Sequence, residues 1–300
     1  MAIFYNQATI SLNGVVTGSN IITGEIEEVL SVSKNAVMES YTPGSSIVYA
    51  VSIVNSGNTA YTDLTLTDDL GSYAVEQPEG EPELDVVPLT FEEGTVSLYI
   101  NGVRQAAPVV TSTEPLTITG IDIPAEGNAV ILYAARANTF APLGENASIT
   151  NTAEVSGNGI GTPLTASAEA VHDSTADLAI SKSLTPSTVP ENGELTYTFI
   201  IQNFGSSAVT EDDSVIFRDV FDPVLDITEV TFNGEPITAG TGYTYSTADG
   251  IFTSLEGQIT VPAAEYTQDP ATGAWSVQPG TSTLVITGTF YSAPQQNTRR

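Results

Sequence analysis

The chain has no cysteine, and only seven basic residues stand against 36 acidic ones among its 300. The first absence excludes disulfides and thiolate metal sites. The second leaves a formal charge of −29, which disfavours nucleic-acid partners and anionic membrane surfaces. Such a charge keeps copies soluble and mutually repelling. Assembly would then rest on burial and backbone pairing, or on cations that screen the acid. The single histidine, His172, cannot supply a repeated His-based triad and reads as an exposed linker residue. No apolar run reaches the roughly 18 residues of a membrane-spanning helix, so no membrane insertion is expected. The N-terminus shows neither a basic n-region nor an apolar h-region, so the chain as read carries no signal peptide. Either one has been removed, or the protein reaches the outside by another route, such as lysis of the cell that made it. No Gly-rich phosphate cradle and no cofactor motif is present.

What is there reads as strand nearly throughout. Short alternating runs such as SIVYAVSIVNSG, DLTLTDDLG, SLYINGV and STLVITGTFY are bounded by Asn-Gly, Pro-Gly and Ser-Gly turn signals. Regular short strands with such turns predict an all-β chain of two tandem Ig-like β-sandwich domains, and the length agrees with about two domains. An internal repeat organises them. One copy carries Lys34, Tyr49, Asn55, Gly57 and Asp68; the other carries Lys182, Tyr197, Asn203, Gly205 and Asp219. The spacing from Lys to Asn is the same, 55 − 34 = 21 and 203 − 182 = 21. Further on, FNG at Phe232–Gly234 echoes ING at Ile100–Gly102.

The repeat is out of phase with the chain. Residues 4–14 read FYNQATISLNG and residues 149–159 read ITNTAEVSGNG. They share Asn6/Asn151, Ala8/Ala153, Ile10/Val155, Ser11/Ser156, Asn13/Asn158 and Gly14/Gly159. At 149–159 the strand closes a domain; at the N-terminus it has no preceding domain to close, and the second copy ends near Arg300 without one. The expected organisation is a donor-strand arm at 1–27, a first sandwich at 28–172 and a second at 173–300 that lacks its closing strand. A second short strand is expected in the arm around Asn20–Ile26. Strand exchange between copies would join chains head to tail.

The lysine-led repeat, with Y-x5-N-x-G, a later Asp and the closing I-T-N-T-A-x-V, resembles the conserved-repeat family called domain of unknown function number eleven, found on surfaces of bacteria and archaea. The resemblance covers nearly the whole chain. The opening FYNQAT and the segment VPAAEYTQDPATGAW are similar to clostridial members, some of them linked to spore appendages. The composition, rich in Thr, Ser, Asn, Gly and Pro, also resembles that of an extracellular bacterial β-protein. These resemblances imply an extracellular or spore-surface location and a structural role.

Strand alternation places three residue types on core faces. In Phe4–Leu12 the apolar face holds Phe4, Asn6, Ala8, Ile10 and Leu12. Asn151 lies with Ile149, Ala153 and Val155. Lys34 shares a face with Leu30 and Val32, and Lys182 with Leu178, Ile180 and Leu184. Asp68 lies with Leu64, Leu66 and Leu70, and Asp219 with Val215, Phe217 and Phe221. The chain's only two lysines thus occupy equivalent inward positions. A buried ammonium must be paired or neutral, and desolvation favours the free amine. A free amine can attack the side-chain carbonyl of a neighbouring Asn while a protonated Asp polarises it and shuttles the proton, with loss of ammonia. This arrangement, Lys on the first strand and Asn on the last, resembles the intramolecular isopeptide of Gram-positive pilin and adhesin domains. The other reading is a buried Lys–Asp ion pair with Asn as a hydrogen-bond partner. The self-cross-linking candidates are Lys34, Asn151 and Asp68 in the first domain. In the second they are Lys182 and Asp219 with Asn6 of a neighbouring chain, whose donor-strand anchors are Phe4, Ala8, Ile10 and Leu12.

Other signals are weaker. Asn55 and Asn203 precede Ser-Gly and Phe-Gly and read as turn residues. Glu211, Asp212 and Asp213 read as a solvated loop rather than a calcium site. Trp275 with nearby tyrosines reads as a core or loop anchor rather than a sugar platform. Two functions compete: a filament subunit whose partner is itself, and a monomeric surface adhesin or ligand-binding module in which residues 1–14 pair within the same chain. An enzyme is a distant third, because the candidate Lys–Asn–Asp triad acts once, on itself.

Overall fold

The computed structural model describes residues 2–26, 29–77, 79–190 and 192–290. Every regular element is a strand, apart from one turn of 3-10 helix at Glu211–Asp213, as the alternating pattern predicts. The N-terminal arm holds β1 (Ala2–Asn6), β2 (Thr9–Leu12), β3 (Val15–Gly18) and β4 (Ile22–Ile26). Next come β5 (Leu30–Ala36), β6 (Ser40–Tyr41), β7 (Ser46–Asn55), β8 (Tyr61–Asp68), β9 (Tyr73–Val75) and β10 (Leu84–Val86). They are followed by β11 (Leu89–Phe91), β12 (Ser97–Ile100), β13 (Val103–Arg104), β14 (Val109–Thr113), β15 (Leu116–Ile123), β16 (Asn128–Ala137), β17 (Ser148–Ser156) and β18 (Leu164–His172). The last part holds β19 (Leu178–Thr185), β20 (Glu194–Asn203), β21 (Arg218–Val220), β22 (Leu225–Phe232), β23 (Glu235–Pro236), β24 (Tyr243–Ser246), β25 (Ile251–Ser254), β26 (Glu265–Gln268), β27 (Trp275–Gln278) and β28 (Gly280–Phe290).

The chain divides into two compact units. The first comprises residues 1–74, 85–140 and 149–170; the second comprises 75–84, 141–148 and 171–300. The first unit is a two-sheet sandwich. One sheet runs β13-β12-β16-β7-β5, with β11 also on β16; the other runs β14-β15-β8-β17-β18-β6. Its core is the interdigitated inner face of both, including Ile47, Val51, Leu64, Leu66, Ile118 and Ile131, all fully buried. Strand β7 alternates buried positions with half-buried or exposed ones along its whole length, the period of two that a sheet facing a core requires.

The second unit repeats this plan in shorter form. Its main sheet runs β19-β20-β28-β22-β23, matching β5-β7-β16-β12-β13. Its facing sheet runs only β21-β25-β24, matching β8-β15-β14. Among the described residues nothing stands where β17, β18 and β6 stand in the first unit, so β21 is an open edge. An aromatic cluster fills the core, with Phe199 edge-on to Phe217 at 4.7 Å between ring centres and Tyr243 stacked on Phe252 at 4.7 Å.

The arm differs from expectation in form. Phe4–Leu12 is not one strand with a buried face. It is split into β1 and β2, which pair with β4 and β3 of the same arm. The result is one interrupted hairpin, folded about Asn13 and Gly14, both at positive φ. That backbone is what a two-residue hairpin turn of matching twist demands. Its apolar side chains face solvent, among them Phe4 at 49%, Ile10 at 73% and Leu12 at 73% exposure. The second leg is longer than the Asn20–Ile26 strand expected from the sequence. His172 also departs from expectation. It ends β18 buried, edge-on to Tyr266 with 5.6 Å between ring centres, and burial pushes its pKa down.

Candidate cross-linking sites

Alternation along β5, β8 and β17 turns Lys34, Asp68 and Asn151 inward, and all three are buried. Register brings two of the strands together: Ala153 lies opposite Asp68, which places Asn151 on the same inner face one step along. The Lys34 Nζ donates to Asp68 Oδ2 at 2.5 Å, with both side chains fully enclosed. Tyr133 Oη donates to the same oxygen, and the other oxygen, Oδ1, accepts from the Leu70 amide at 3.1 Å. Aromatic walls complete the site. Lys34 Nζ lies 4.9 Å from the ring centre of Tyr49 and 5.9 Å from that of Tyr133, and the two rings stack.

Burial and the carboxylate pull the amine in opposite directions. Burial pulls the Lys34 pKa below its ordinary 10.5, against the opposing attraction of Asp68. Burial raises Tyr49 and Tyr133 as phenols; the Asn151 amide opposes the rise, more than Asp68 adds to it at Tyr49 and less than Asp68 adds to it at Tyr133. Asn151 therefore neighbours both hydroxyls, yet neither its Oδ1 nor its Nδ2 completes a hydrogen bond of ordinary geometry. The Tyr49 hydroxyl is left unpaired as well. A buried amide without partners costs on the order of 1–3 kcal/mol, and such groups are rare enough in native proteins to call for a reason.

The second unit holds the same pair in a different setting. Lys182 Nζ donates to Asp219 Oδ2 at 2.6 Å. It lies 4.6, 5.2 and 5.5 Å from the ring centres of Tyr197, Phe199 and Phe221. The sequence reading placed Lys182 in the core; here its side chain is 41% exposed, against 0% for Lys34. The same contrast runs along the strand, with Leu178 at 39% where its counterpart Leu30 is at 8%. The physical cause is the missing cover, since among the described residues the strands that bury the first site have no counterpart over the second. Asn6 and its companions on the arm are exposed, and among the described residues the arm strands pair only with each other.

Sequence reasoning did not single out Tyr133. It lies opposite Tyr49 in the β16–β7 register, whereas Ile286 lies opposite Tyr197. The repeat therefore carried no signal for it. Asn55 and Asn203 are turn residues, as expected. Each donates from Nδ2 to two backbone carbonyls, Thr59 and Pro124 in one case, Ser207 and Pro262 in the other, and accepts from the glycine two residues on. The acidic run at 211–213 forms a capped turn in which Asp213 accepts from Thr210. Trp275 lies on β27 in a hairpin with β26. Among the described residues no group of His, Asp or Glu is arranged to hold a metal ion, and no helix is long and apolar enough to cross a membrane.

No family model matches the sequence, and no curated protein matches it. Among solved structures, the chain is similar to the major pilin subunit BcpA*(D312A) of Bacillus cereus, at 11% identity and a TM-score of 0.37 over 98% of this chain and 75% of that one. It is also similar to the pilus backbone RrgB of Streptococcus pneumoniae, at 11% identity and 0.32 over 83% of this chain. The chain spans about half, 55%, of that protein. The collagen-binding domain of a Staphylococcus aureus adhesin matches 48% of this chain over 99% of its own length, at 12% identity and 0.29. At these scores and identities the likenesses do not bear on what this chain does.

Proposed function

We propose that the chain is a structural subunit of an extracellular filament, joined head to tail when the N-terminal arm of one copy completes the second sandwich of the next. The observation that carries this reading is paired. The second unit ends its facing sheet at the open edge of β21, and the arm bears the sequence of the strand that fills that position in the first unit. By the Ala153–Asp68 register, Ala8 would lie opposite Asp219, with Asn6 toward Lys182. Open edges with free backbone donors and acceptors recruit strands. Burying Phe4, Ala8, Ile10 and Leu12 adds several kcal/mol at ~25 cal/mol per Å².

The same proposal assigns chemistry to both sites. The Lys34 amine attacks Cγ of Asn151, a new N–C bond forms, the bond from Cγ to Nδ2 breaks, and ammonia leaves. Asp68 accepts the amine proton and returns it to the departing nitrogen. Lys182, Asp219 and the incoming Asn6 would do the same between copies, as a single self-modification rather than turnover. The Asn151 amide, buried without a hydrogen bond of ordinary geometry on the same inner face as Asp68 of the Lys34–Asp68 pair, supports this over a simple ion pair. A spore-appendage setting and the family resemblance given above stand as part of this proposal.

The test is a detergent gel of boiled filaments. A ladder of multimers that collapses to monomer in Asn6→Ala is the expected result; complete dissociation of the unmutated filament would refute the inter-chain bond. Sedimentation decides the joint itself. Chains lacking residues 1–14 should stay monomeric, and normal polymers from them would rule it out. A wild-type chain that never polymerises would favour the adhesin-like monomer closed by its own arm.

A further inference from the structure

In the first unit the space between β8 and β6 is two strands wide, because β17 and β18 lie between them in the sheet. The second unit has the same two borders. One is the open edge of β21, the counterpart of β8. The other follows from the shift shared by Lys34/Lys182, Tyr49/Tyr197 and Asn55/Asn203, 182 − 34 = 148, which carries Ser40–Tyr41 of β6 onto Thr188–Val189. Val189 packs against the core of the second unit as Tyr41 does in the first, but among the described residues no strand pairs with it. One added strand would satisfy β21 and leave a strand-wide gap beside Val189.

The arm is built as two strands. β1 and β2 form one leg, β3 and β4 the other, and the counterpart β17–β18 is likewise a neighbouring pair. Residues opposite each other in an antiparallel pair share a face. Asn6 and Ile22 are opposite, as are Phe4 and Gly24, Ile10 and Thr17, and Leu12 and Val15. The face that bears Asn6 is therefore apolar on the second leg too. A Cβ at Gly24 would come within 2.3 Å of the Phe4 ring, so the glycine lets that ring lie flat across the second leg. A hairpin alone in water is marginal, and this one exposes Ile22 at 57% and Val15 at 68%.

We infer that the donated element is the whole hairpin of residues 2–26, its first leg on β21 and its second leg closing the gap to Thr188–Val189 of the acceptor copy. This rests on the head-to-tail reading and specifies its joint. The filament is then an unbroken series of sandwiches, each completed by the hairpin that follows it. Within a chain that hairpin is β17–β18; between chains it is the next copy's arm.

The full-length chain carrying single aspartates tests it by sedimentation and electron microscopy. Ile22→Asp and Ile10→Asp should each abolish polymers, and Thr23→Asp, opposite Tyr5 on the other face, should polymerise as the wild type does. Normal polymers from Ile22→Asp with none from Ile10→Asp would overturn the hairpin and leave a single-strand joint standing. Loss of polymers in Thr23→Asp as well would also overturn it, because face would then not matter. Normal polymers from both Ile10→Asp and Ile22→Asp would refute the strand-exchange reading itself.

Discussion

At the scale of single residues, the first site couples an ion pair to an amide that lacks partners. Removing the lysine while Asp68 stays buried removes the compensating charge, which costs about 3–5 kcal/mol, and it also removes the nucleophile. Under the proposed Lys34–Asn151 bond the wild-type mass should be one ammonia low; Lys34→Ala should abolish that loss and lower the melting temperature. An unmodified mass in the folded wild type would reduce the site to an ion pair. The titration of Lys34 is visible where no bond can form, as in Asn151→Ala. Burial lowers the folded-state pKa below 10.5, so the unfolded chain binds the proton more readily. Stability then rises with pH from the folded-state pKa toward 10.5. The window must be read below the ordinary tyrosine value of 10.0, because Tyr49 and Tyr133 are raised and oppose the trend above it. Denaturant titrations of Asn151→Ala should show that rise, and Lys34→Met in the same background should flatten it. A flat Asn151→Ala profile would contradict the lowered pKa.

At the scale of elements, the Asn55 and Asn203 clamps hold equivalent turns in the two units. Each ties the end of its strand to a loop 59 residues or more away, Asn55 to Pro124 at 2.9 Å and Asn203 to Pro262 at 3.0 Å. Replacement by alanine leaves buried backbone groups without partners and should cost on the order of 3 kcal/mol. Asn55→Ala should shift the unfolding of the first unit and Asn203→Ala that of the second. Equal shifts of one common transition would show that the units do not unfold separately. Gly205 is constrained more tightly, because a Cβ there would fall 1.9 Å from the Thr175 carbonyl oxygen. Gly205→Ala should therefore destabilise the second unit at least as much as Asn203→Ala does.

At the scale of the molecule, a formal charge of −29 sets copies against each other, and the proposed hairpin joint must overcome it. Exposed charges are screened over about 10 Å at 0.1 M salt. Raising ionic strength from a few millimolar to physiological should speed polymerisation, followed by light scattering. A rate independent of salt would show that charge repulsion does not limit the encounter.

The all-β class, the two sandwiches, the inward Lys34, Asp68 and Asn151, and the turn asparagines were legible in the residues alone, because strand alternation is a local rule and a repeat exposes equivalent positions. What only the tertiary structure decided depended on neighbours distant in sequence. Tyr133 on β16 reaches Asp68 on β8 of the facing sheet, a contact across the sandwich that no spacing encodes. Lys182 has the sequence surroundings of Lys34 yet lies open, because burial belongs to the strands that cover a residue and not to the strand that carries it. His172 is hidden by Tyr266, 94 positions away by their numbers. The arm's pairing as a hairpin, and the two strands that lie between β8 and β6, follow from register and sheet order, which emerge only when the chain is folded.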